Sequence, residues 1–185
     1  MDLGRENAVF AVGDLIVYSG TGVCRVENVG PPPFAPKEKR AYYTLVPLRS
    51  RETTYVPVDT QVFMRPILAR EEAEKLIDRL PSIQEAQVKQ QDYRALAQRY
   101  KEFLDTHRCE DLVQLIKAVY GKTQQQSRTG KKPSKVDQEF RKRAETLLHD
   151  ELAAALEIPL EQVSAYIEQR LGVGPQQDQS TAAQV

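Results

Sequence analysis

The chain has no tryptophan, and only two cysteines, two histidines and two methionines among its 185 residues. Cys24 and Cys109 are far apart and match no zinc or disulfide spacing, so a covalent framework is not available to this fold. With His107 and His149 as the only imidazoles, a metal centre can hardly be assembled from Cys and His alone. Long apolar runs are missing as well, and nothing approaches the roughly 20 residues that a membrane span requires. Excess charge of either sign is also absent: 26 Lys and Arg balance 26 Asp and Glu. No global field therefore draws the chain to nucleic acid or to a membrane, and any such partner must be met by a local patch. There is no Gly-x-Ser-x-Gly elbow and no dinucleotide-binding fingerprint. With no leader-like segment in view, these absences predict a cytoplasmic, non-enzymatic protein without cofactor, metal or small-molecule substrate.

What is present divides near residue 70. Before it, β-branched and aromatic residues come in short runs at 14–18, 23–29, 42–48, 53–58 and 61–65. Turn signals separate them: Gly20 and Gly22, then Gly30-Pro31-Pro32-Pro33, then Ser50-Arg51-Glu52, then Asp59. Four or five strands at this spacing predict a small β-barrel or a strongly bent antiparallel sheet. After residue 70 the apolar period becomes helical. Helices are expected over 71–80, over roughly 84–106 with Leu96, Tyr100, Phe103 and Leu104 on one face, over 110–120, from Ser134 onward, and over 160–171. Pro81-Ser82 breaks the first of these and could act as a hinge. A glycine- and glutamine-rich loop is expected from Gly121 to Lys132, with Ser134 as an N-cap just beyond it. The fold class is thus α+β, with a β-module over 9–68, an all-helical domain over 69–172, and a disordered tail over 173–185.

Two sites invite a chemical interpretation. Gly20-Thr21-Gly22 could cradle a phosphate, but Val23-Cys24-Arg25-Val26 continues it as a strand, without the lysine or helix start that such a loop uses. A hairpin turn is the expected role. The second site is a run of charge. From Lys117 to Arg143 stand Lys117, Lys122, Arg128, Lys131, Lys132, Lys135, Arg141, Lys142 and Arg143, nine cations, against Asp137 and Glu139. Such a segment is either a solvated surface or a patch for a phosphate backbone. The Pro-rich loop over 30–40 carries Phe34, which serves either as a plain hairpin connection or as an exposed contact.

The stretches "FAVGDLIVYSGTGVCRVENV", "YYTLVP" and "TTYVPVDT" resemble the polymerase-interacting domain of CarD/CdnL-type transcription regulators, a Tudor-like (SH3-like) module also found in transcription-repair coupling factors. "RYKEFLDTHRCEDLVQLIKAVYGK" and "GKKPSKVDQEFRKRAETLLHDELAAAL" are similar to the helical DNA-binding domain of the same regulators. The resemblance implies binding to the RNA polymerase β subunit through Arg49, Arg51, Thr53, Thr54, Tyr55 and Val56. It also implies contact with promoter DNA at the upstream edge of the melted region, and a change in open-complex stability. Backbone contacts of low sequence specificity are then expected from Arg94, Arg99, Lys131, Lys132, Arg141, Lys142 and Arg143. Relatives commonly insert a tryptophan into the minor groove; here Tyr93 or Leu96 lies near that position, and Leu96 is equally a core residue. The rival expectation is an adaptor that binds proteins only, with no direct role for DNA.

Overall fold

The computed structural model describes residues 9–88 and 92–173. Five strands form first: β1 (Leu15–Tyr18), β2 (Gly22–Gly30), β3 (Tyr42–Pro47), β4 (Thr54–Pro57) and β5 (Met64–Pro66). All pair antiparallel in the order β4-β3-β2-β1-β5. The sheet is bent and open rather than a closed barrel, because its short edge strands β4 and β5 do not pair with each other. The bend has a local cause in a register shift between Val26 and Asn28, where β2 bulges against β3.

Alternation along the strands gives each face its cover. Ile16, Cys24, Val26, Leu45, Tyr43 and Val56 close one core with Phe10. The Tyr43 hydroxyl accepts from the Val9 and Phe10 amides and so pins the entering chain. Val17 and Val23, paired in register, point the other way, toward Leu104, Leu112 and Leu147, and leave a void of only about 20 Å³. The sheet is therefore sandwiched between its own core and the helices.

Those helices are α1 (Arg70–Arg79), α2 (Tyr93–Asp105), α3 (Cys109–Arg128), α4 (Lys135–Leu156) and α5 (Val163–Leu171). They share a second core built on Ile77, Tyr100, Leu115, Val119, Val136, Leu152, Leu156 and Val163. Ser134 caps α4 by accepting from the Asp137 amide at 3.1 Å, as its position predicts.

Three features differ from expectation. The second helix begins only at Tyr93, where the Asp92 carboxylate accepts from the Arg94 and Ala95 amides, both at 3.0 Å. The apolar residues before it belong to an extended strap instead: Ile83 and Ala86 are buried along α3, and the Ala86 amide donates to the Gln114 carbonyl. Gly121, expected to open a loop, lies inside α3, which runs on to Arg128. The glutamines after it are good helix formers, and a Cβ at Gly121 would stand 2.9 Å from the Glu85 carboxylate of the strap. Finally, Pro81-Ser82 is no free hinge. Lys117 Nζ donates to the carbonyls of Leu80 (2.6 Å) and Ile83 (2.7 Å) and ties this turn to α3. The tail from 174 to 185 lies outside the described residues.

Candidate binding surfaces

Strand β4 pairs with β3 on one side only, so its outer edge carries backbone groups that no strand satisfies. Arg51 and Thr53 are exposed just before it, and Thr54 and Tyr55 are half-buried within it. Val56 faces the sheet core and is unavailable to a partner without unpacking. On the opposite face, the Tyr55 ring meets Phe34 edge-on at 5.3 Å, and Phe34 itself is 70% exposed. The Pro-rich loop thus brings an aromatic contact to the edge strand, which spacing alone left open. Arg49 does not point outward with them. Its Nε lies 2.7 Å from both carboxylate oxygens of Asp150 on α4.

The basic run thins out on folding. Lys117 holds the Leu80–Ser82 turn, Lys122 lies 2.8 Å from the buried Asp137 carboxylate, and Arg143 donates to the Gly20 carbonyl. Arg141 pairs with Glu145 one turn on. Arg99 pairs with Glu102 and covers the Phe103 ring. Among the described residues, this leaves Arg128, Lys131, Lys132, Lys135 and Lys142 as exposed cations without an ion-pair partner, with Arg94 on α2 beside the exposed Tyr93. Lys135 and Lys142 share a face of α4 at seven-residue spacing, just beyond the loop that holds Lys131 and Lys132. Leu96 is 6% exposed in the helical core and is withdrawn as a groove wedge, since reaching DNA would require α2 to unpack. Tyr93, 63% exposed, is the aromatic that remains at the surface there.

The glycine turn is a short 3-10 turn (Ser19–Thr21) that closes the β1–β2 hairpin. Its Gly20 carbonyl receives Arg143, and Gly22, at φ 94°, sits where a Cβ would be 3.0 Å from Leu147 Cδ2. The His107 and Cys109 pairing is equally occupied. Phe63 stacks on the His107 ring at 4.3 Å, and burial lowers the imidazole's proton affinity. The Cys109 thiol lies 3.1 Å from the Glu151 carboxylate; burial first, then that negative charge, push its pKa far up, so it is no nucleophile. Burial alone takes Cys24 up to about 11. Among the described residues, no three His, Cys, Asp or Glu side chains gather to hold a metal ion, and no helix is long and apolar enough to cross a membrane.

Sequence reasoning missed Arg65 and Glu151. The signal was there: Glu151 interrupts the apolar stripe of Leu148, Leu152 and Ala155, a position where an acid has to be paired.

Residues 10–68 match the CarD-like/TRCF RID domain. The β-module is an RNA polymerase-interacting domain of this kind. No curated protein matches the chain. The RID match ends at Leu68, so it covers the sheet and the bare β4 edge and stops before α1. It supports a transcription-related, polymerase-interacting role for the β-module, and the RID family is one of interaction domains.

Proposed function

We propose that this chain is a bacterial transcription regulator that docks on the β subunit of RNA polymerase and steadies or destabilises the promoter open complex. The RID domain supplies the dock, through the open β4 edge with Arg51, Thr53, Thr54 and Tyr55, and with Phe34 as an added aromatic anchor. The helical part supplies phosphate contacts from Arg128, Lys131, Lys132, Lys135 and Lys142, with Arg94 and Tyr93 at the start of α2. The observation that carries this reading is the joining, in one chain, of an RID domain with a cluster of uncompensated cations on a helix start. Tethering to polymerase raises the local DNA concentration, so weak contacts of low sequence specificity suffice. Work of this kind takes place in the cytoplasm, where the polymerase is.

The test has two readouts on promoter complexes: capture of polymerase core by the chain, and open-complex lifetime with and without it. Capture together with a changed lifetime is the expected result. Capture without any change in lifetime would favour the second reading, a protein adaptor with no DNA role, to which the burial of Leu96 and the absence of tryptophan lend support. No capture at all would overturn both.

A further inference from the structure

The sheet and the helices are joined covalently by only the short stretch between β5, which ends at Pro66, and α1, which begins at Arg70. Such a link alone would let one part turn against the other. It is not left alone. The Glu151 carboxylate, 3% exposed, sits where β5, α3 and α4 meet. It accepts from both terminal nitrogens of Arg65, from the Leu68 amide at 3.0 Å, and from the Cys109 thiol at 3.1 Å. The Arg65 guanidinium also donates to the His107 carbonyl at 2.7 and 3.2 Å and to its neighbour Pro66 at 2.9 Å.

Three more ties lie on the same face of α4. Arg143 holds Gly20, Leu147 fills the space over Gly22, and Asp150 binds Arg49. Positions 143, 147, 150 and 151 follow the i, i+4, i+7, i+8 pattern of one helix stripe. Apolar surfaces tolerate sliding, whereas a saturated, directional network at a buried charge accepts one arrangement. Any rotation of the sheet would strand Glu151 without its cation.

We propose that Glu151 and Arg65 are positioning residues that lock the RID domain and the helices into one body of fixed geometry, so that docking at β4 sets where the cation loop meets DNA. The functional consequence rests on the function proposed above; the lock itself does not. The test places spin labels at E27C and Q124C, both exposed, in the full chain, whose native thiols are buried. The unsubstituted seam should give one narrow inter-label distance. Glu151→Gln or Arg65→Gln should broaden it at least twofold, with polymerase capture unchanged and the effect on open-complex lifetime cut at least threefold. Should either variant fail to fold by circular dichroism, the pair Arg49→Ala with Arg143→Ala, at exposed positions of the same seam, is read the same way. A broad distribution in the starting protein, or a narrow one in folded variants, would overturn the lock. Failure of the starting protein to capture polymerase, with the distances as expected, would overturn the function and leave the lock standing.

Discussion

Asp137 is 1% exposed at the third position of α4 and sits within the helical core. Burial alone would raise its pKa, but hydrogen bonds from Lys122, Ser134 and Tyr100 outweigh this and hold the carboxyl below its ordinary value. Tyr100 donates at 2.8 Å and is itself buried, so Asp137→Ala strands a phenol and a cation together. The expected loss is about 2–4 kcal/mol in urea unfolding, and less for Asp137→Asn, which keeps an acceptor for Tyr100. Because the folded pKa is the lower one, the carboxylate stabilises above the unfolded value of about 3.9 and loses this effect as pH falls through the folded value. The stability gap between the native chain and Asp137→Asn should therefore shrink below about pH 4. The two turn glycines make a second contrast. At Gly22, with φ 94° and Leu147 at 3.0 Å, Gly22→Ala should cost about 1–2 kcal/mol. At Gly20, where a Cβ meets Arg143 at an ordinary 3.6 Å, Gly20→Ala should be nearly neutral by the same unfolding measurement. The sequence made both glycines look equivalent; the positive φ at Gly22 and the approach of α4 distinguish them.

Helix α3 shows how an element outruns its local signals. A glycine followed by glutamines reads as a loop, yet the helix continues because Leu115 and Val119 are already packed and glutamine keeps the period. Gly121 is there for closeness to the strap, and the atom that a Cβ would meet is the far end of the flexible Glu85 side chain. Glu85 can swing aside, so Gly121→Ala should gain up to about 1 kcal/mol of helix propensity, seen as a raised Tm. A drop in Tm would mean that the strap itself is displaced. In α2 the error ran the other way. Ile83 and Ala86 supply apolar spacing that resembles a helix, but they serve an extended segment buried on α3. Periodicity reports burial on one face and does not by itself say which backbone achieves it.

At the scale of the molecule, charge is the quantity that folding redistributes. Nine cations between Lys117 and Arg143 look like one patch in sequence, yet Lys117, Lys122 and Arg143 are consumed as internal ties and Arg141 is paired. Replacing Lys131, Lys132, Lys135 and Lys142 together by alanine should flatten the log–log salt dependence of promoter binding by about three to four, since each phosphate contact contributes roughly 0.9. Polymerase capture should be unaffected. An unchanged slope would count against the proposed DNA contacts of these lysines. Conversely, Arg51→Glu with Tyr55→Ala should abolish capture while lowering unfolding stability by only about 1–2 kcal/mol, because Arg51 is exposed and the half-buried Tyr55 loses little more than its packing on Phe34.

Composition and periodicity by themselves determined the order of strands before helices, the capping of α4 by Ser134 and the hairpin at Gly20–Gly22, while the quoted stretches of the β-module carried the resemblance that the RID match over residues 10–68 bears out. These rest on interactions local in sequence, where residue type and spacing carry the physics. Tertiary structure alone decided that Leu96 is core, that Arg49 and Arg143 hold α4 to the sheet, and that Arg65 is the cation Glu151 meets. Arg49 and Asp150 are 101 residues apart, Arg65 and Glu151 are 86 apart, and Gly20 and Arg143 are 123 apart. No local pattern encodes which distant charge will be its partner, because that is set by how the two cores pack.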